Sequence, residues 1–142
     1  MMRLPAGKYF IADPCYIIRD EKYDRLLEET NYFGYTLPDR GNIFIDSVTK
    51  LPFAVFSTAY GDGCYRDGFG FKYGVDAGCI SCVPVAMVDE HASAREYINL
   101  VSFDEPFEVG YNDGLITFGH IEIPTKGDYD EYQEDYQEEL DA

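Results

Sequence analysis

Four aspartates stand where strand-like sequence ends or bends: Asp13 in "ADPCY", Asp62 in "AYGDG", Asp67 in "YRDG" and Asp76 in "GVDAG". An aspartate beside glycine ordinarily caps a turn with its own carboxylate, which accounts for Asp62 and Asp67. Asp13 and Asp76 sit in apolar surroundings instead, and a carboxylate drawn out of water needs donors. Tyr16, Tyr65, Tyr73 and Arg66 can supply them, and Cys15 lies beside Asp13 in the chain. If these residues converge, they line a polar pocket walled by aromatic rings, the usual form of a small-molecule site. Asp13 and Asp76 would then share one locus. The chemistry open to such a pocket is ligand binding or hydrolysis, the latter with a divalent cation held by the carboxylates.

Other chemistries fail on spacing. Gly68, Gly70 and Gly74 read G-x-G-x-x-x-G with no helix to follow, so a phosphate would find no helix N-terminus to rest on. Aligning Asp67-Gly68 with the middle of an EF-hand loop puts Gly63 and Tyr65 where carboxylates are required. Cys79 and Cys82 have zinc-knuckle spacing but lie in a strand, whose residues three apart face opposite ways. As nucleophiles, Cys15 and Cys64 would need an imidazole, and the two histidines, His91 and His120, read as surface residues. The sequence thus assigns no catalytic residue, no metal ligand and no cofactor.

The elements that must position these residues are mostly strands. "GKYFIADPCYII" reads as a strand interrupted at Asp13-Pro14, since proline removes a ladder donor. Asp20 is placed to cap a helix over residues 20–31, with Tyr23, Leu26, Leu27 and Thr30 on its inner face. "NYFGYTLPDRGN" is a loop, and "NIFIDSV" and "LPFAVFSTAY" are strands. In "GFGFKYGV", Phe69, Phe71, Tyr73 and Val75 alternate with glycines and Lys72. That gives one aromatic face and one bare face open to close approach. "CISCVPVAMV" is apolar on both faces and reads as a central strand ending at Pro84. "DEHASAREYI" admits a short helical turn. "PFEVGYNDGLITFGHIEI" is a hairpin turning at Asp113-Gly114. The class is α+β: mainly antiparallel sheet, as a sandwich or partly open barrel, with one substantial helix.

The 142 residues suffice for one domain, taken as 1–126, and carry a formal charge of −16. Such a balance disfavours direct contact with nucleic-acid phosphates and favours a basic partner. The start "MMRLPAGKYF" lacks a signal peptide's apolar core and no later stretch reaches a membrane span, so the expected location is the cytoplasm, with reduced thiols. Residues 127–142 form an acidic tail with eight acids and no base, half of the net charge. Within it Tyr129, Tyr132, Tyr136 and Leu140 recur at helical spacing, a stripe suited to docking on the domain or on a partner.

At "FIADPCYII" and "AVFSTAYGDGCY…YGVDAGCISCVP" the chain resembles a widespread group of small bacterial and phage proteins. They share the Asp-Pro-Cys-Tyr strand end, the Tyr-Gly-Val-Asp-Ala-Gly block and a terminal hairpin, here Phe103 to Ile123. The likeness spans roughly residues 7–125. It implies a shared fold and phage genomes as a source, and carries no catalytic role with it. Charge and resemblance together lead to the expectation of a non-enzymatic interaction module, in its sharpest form a phage-encoded inhibitor of a host nucleic-acid-binding or defence protein. The competing expectation is a ligand-binding or hydrolytic domain built on the aspartate–tyrosine pocket.

Overall fold

The computed structural model describes residues 2–88 and 96–127. In chain order the strands are β1 (Met2–Leu4), β2 (Gly7–Ala12), β3 (Gly41–Ile45), β4 (Pro52–Ser57), β5 (Gly63–Arg66), β6 (Lys72–Val75), β7 (Cys79–Pro84), β8 (Asn99–Phe103), β9 (Phe107–Asn112), β10 (Leu115–Phe118) and β11 (Ile121–Pro124). Two helices, α1 (Pro14–Ile17) and α2 (Asp20–Glu29), lie between β2 and β3. The fold is α+β and all its strand pairs are antiparallel.

A five-stranded sheet of order β3-β4-β7-β2-β8 forms the middle layer. Its inner strands are apolar on both faces because both faces are covered. Tyr9, Ile11, Ala54, Phe56, Ile80 and Cys82 point toward a four-stranded sheet of order β1-β9-β10-β11. Their neighbours Phe10, Ala12, Phe53, Val55, Cys79 and Val83 point toward the helices. Full burial of side chains the size of Phe53 or Phe56 stabilises by about 1.5–3 kcal/mol each. The period-2 alternation of strand side chains thus divides one sheet's residues between two cores. Both large sheets stay open, with β1 and β11 as edges of one and β3 and β8 as edges of the other, so neither closes into a barrel. A third, two-stranded ribbon, β5–β6, adds Tyr65, Tyr73 and Val75 to the first core.

Three local expectations are corrected. The chain does not continue as a strand after Asp13: Pro14 opens α1, where its missing N–H is no loss, and Asp13 caps it. Asp20 is the first residue of α2 rather than its cap; Arg19 holds the cap position without a side-chain bond. Strand β6 begins only at Lys72, so Tyr73 and Val75 are buried while Phe69 stands 72% exposed in the preceding turn. The bare face of that strand is approached closely, by the ring of Tyr97: a Cβ on Gly74 would lie 3.0 Å from it.

The inner face of α2 is as read, with Leu26 and Thr30 buried and Tyr23 and Leu27 packed against the second core. The hairpin turns at Asp113 and Gly114, whose φ values of 48° and 88° are those of a type I′ turn. It continues into β11 as a third strand. The helical turn expected in 89–98 falls largely outside the described residues, as do His91 and residues 128–142 of the tail with Tyr129, Tyr132, Tyr136 and Leu140.

Candidate functional site

Asp13 is completely buried at the end of β2. Its Oδ1 accepts the Cys15 backbone N–H at 2.9 Å, which caps α1. Its Oδ2 accepts the N–H groups of Asp76 and Ala77 at 2.8 and 2.6 Å, in the turn between β6 and β7. The side chain of Asp76 lies on the surface and accepts the Tyr16 hydroxyl. The two motifs that sequence singles out therefore do meet, through a carboxylate that clasps a backbone turn. Burial pushes the Asp13 carboxyl above the usual carboxylate range, and the N–H donors of Ala77, Cys15 and Asp76 pull the other way. Burial, and then the Asp13 carboxyl, pushes the Cys15 thiol well up. An activated thiol has the opposite character, so Cys15 lacks the makings of a nucleophile.

The remaining members of the expected pocket lie elsewhere. Asp67 is buried in the β5–β6 turn, where Oδ1 accepts the N–H groups of Phe69 and Phe71 at 2.9 and 3.1 Å. Its Oδ2 accepts the Tyr73 hydroxyl at 2.7 Å, and that hydroxyl in turn accepts from Asn99 Nδ2 at 2.9 Å. Arg66 donates to the Gly70 carbonyl across the same turn. Tyr65 is buried and donates to the Gly61 carbonyl, and Asp62 is exposed. The single aspartate–tyrosine pocket is thus replaced by two separate hydrogen-bonded clasps, because β6 faces one core while the turn after it faces Asp13. Cys79 and Cys82 end in different cores, so their thiolates cannot share an ion. Among the described residues no group of three or more His, Cys, Asp or Glu is placed to hold a metal.

A concavity lies beside the Asp13 clasp, and part of its lining comes from the "AYGDG" and "GVDAG" stretches. A groove of about 630 Å³ runs between the helical layer and the loops after β4 and β6. Tyr23, Tyr32, Tyr35, Arg40 and Tyr60 wall it, over a floor of the small residues Ala59, Gly61, Ala77 and Gly78. Its wall is set by an unusual backbone. Asn31, Tyr32, Phe33 and Gly34 all have positive φ, from 51° to 72°, a turn of left-handed chain. Left-handed helical backbone costs roughly 1–2 kcal/mol for each non-glycine residue. Tertiary contacts hold it. Phe33 is buried against the ring of Tyr23, and its N–H donates to Thr30 Oγ1 at 2.9 Å. The same turn leaves Tyr32 69% and Tyr35 60% exposed.

The groove floor is tied down from three sides. Thr58 is fully buried, donates its N–H to the Gly78 carbonyl at 2.9 Å and its hydroxyl to the Gly61 carbonyl at 2.6 Å. Tyr60 N–H donates to the Thr125 carbonyl at 2.9 Å, at the end of β11. Arg40 Nη2 donates to the Thr58 carbonyl at 3.0 Å, and its guanidinium lies 5.7 Å from the centre of the Tyr35 ring. A further signal in sequence is the tyrosine-rich loop "NYFGYTLPDRGN", which places Tyr32 and Tyr35 outside any strand.

Compared with protein-family models, with curated proteins and with solved structures, the chain finds no match.

Proposed function

We propose that this protein is a non-enzymatic binding module that engages a basic protein partner through its acidic surface and tail. The observation that carries the reading is the saturation of the buried aspartates. The oxygens of Asp13 and Asp67 are taken up by backbone N–H groups and a tyrosine hydroxyl, so neither is a free base or a nucleophile. What is left to act is charge, −16 in all, half of it in a tail that carries no base. In its sharpest form, resting on the resemblance to small phage proteins, the module inhibits a host nucleic-acid-binding or defence protein by covering its cationic surface.

Calorimetric titration of the full chain into a basic DNA-binding protein tests the reading. Binding should weaken steadily as salt is raised, because exposed charges are screened over about 10 Å at 0.1 M ionic strength. A chain with the tail acids replaced by their amides should bind more weakly still. No binding at low salt, or binding indifferent to salt, would sink the proposal.

A further inference from the structure

The tyrosine-walled groove offers something that surface charge does not: a concave site whose one charged wall residue is a cation. Among the described residues Arg40 has no carboxylate partner, and of its five N–H donors a single one, on Nη2, is hydrogen-bonded. Its position is fixed by the Thr58 carbonyl and by stacking over Tyr35. Arg40 itself has a left-handed backbone, φ 57°, which turns it back over the groove from the loop before β3.

The walls around it favour flat rings. Tyr32 and Tyr35 keep 69% and 60% of their surface open while lining a concavity, and large apolar surface left in this form marks a contact awaiting a ligand. The floor is short side chains, so a ring can approach the backbone of Gly61 and Gly78. A volume of about 630 Å³ is that of a small-molecule site. We infer that this groove binds a small planar anion, an aromatic ring bearing a carboxylate or phosphate, with the ring between tyrosines and the anion on Arg40. This site is separate from the basic-partner surface and stands or falls without it.

Amide chemical-shift mapping on the full chain tests the assignment with two anionic probes, 4-hydroxyphenylacetate and adenosine 5′-monophosphate, against tyramine and adenosine. At least one anion should shift the amides of Tyr32–Tyr35, Gly61 and Gly78 in a saturable way, with its uncharged or cationic counterpart at least tenfold weaker. Arg40→Gln should weaken the anion at least tenfold. Arg40→Lys, which keeps the charge, should retain binding within a few-fold, so that a folding defect in the first variant is not mistaken for the effect. Equal binding of anion and counterpart, shifts confined to other surfaces, or no saturation by either anion overturns the assignment. So does a shift of the amides of residues 128–142 caused by Arg40→Gln with no probe present, since the groove would then hold the chain's own acidic tail.

Discussion

Asp13 and Asp46 are both wholly buried, both end a strand of the central sheet, and both tie that sheet to the helical layer. Their surroundings differ in depth, with Asp13 the deeper, and in partners. Asp46 meets a cation: Arg25 Nη2 of α2 lies 3.0 Å from its Oδ1, while Thr49 donates its N–H and hydroxyl to Oδ2 at 3.1 and 2.7 Å. Asp13 meets backbone N–H groups and the Cys15 thiol, with no cation among its partners. Burial acts to raise both carboxyls, but the Thr49 donors and the Arg25 charge outweigh it at Asp46, which is held below the usual range. At Asp13 burial prevails. Both side chains are shut from solvent contact, but Asp13 lies deeper in the protein than Asp46, so depth and partners together separate them.

The largest effect expected from this contrast is on stability. Asp13→Ala would strand the N–H groups of Cys15, Asp76 and Ala77 inside the protein and should cost about 3–5 kcal/mol, read as a fall in the urea midpoint. Asp46→Ala should cost less, about 1–2 kcal/mol, since Arg25 is a third exposed and can turn to water. A larger loss at Asp46 than at Asp13 would mean that the charge, not the stranded dipoles, dominates the cost.

A subtler effect is the sign of the pH dependence, measured by urea unfolding of the wild type and the two Asp→Asn variants between acid and neutral pH. The folded value of Asp46 lies below its ordinary 3.8, so its contribution is complete above 3.8 and disappears as pH falls through the folded value. The folded value of Asp13 lies above 3.8, so its ionisation weighs against the fold. Its contribution is complete below 3.8 and is lost as pH rises through the folded value. The stability gaps between wild type and the two variants should thus slope in opposite directions. Parallel slopes would mean that the backbone donors at Asp13 outweigh its burial.

The smallest effect is expected at Asp76. Its side chain is exposed and touches only Tyr16 among the described residues, so Asp76→Asn should stay within about 0.5 kcal/mol of wild type. It is the Asp76 backbone, not its carboxylate, that Asp13 holds. A loss approaching that of Asp13→Ala would show that the two carboxylates act as one unit.

The parts of this fold legible in sequence are those encoded over a few neighbouring residues. β-Branched and aromatic residues mark β4, the doubly buried run marks β7, and Asp113-Gly114 announces its hairpin. That Asp13 and Asp76 belong together is readable because each breaks apolar sequence, a cost that implies a partner. The turn into α1 is less readable, because Asp-Pro signals a strand's interruption and a helix's first turn with the same two residues. The left-handed turn at Asn31–Gly34 has no local signature, since Tyr32 and Phe33 do not favour positive φ. It exists because Phe33 gains a place in the core. The groove it shapes draws on four separated stretches of chain, so no window of sequence contains it.

The central strand has one further consequence. Because β7 sends Cys79 to the helical side and Cys82 to the sheet side, both nearly or wholly shut from water, it carries two sulfur atoms that keep separate time. An alkylating reagent modifies each only when its own interface parts. Should the helices lift away first, Cys79 is labelled while Cys82 stays silent. Should the layers open as one, the two rates coincide. A single strand thus records, in adducts that mass spectrometry can count, the order in which its two faces come apart.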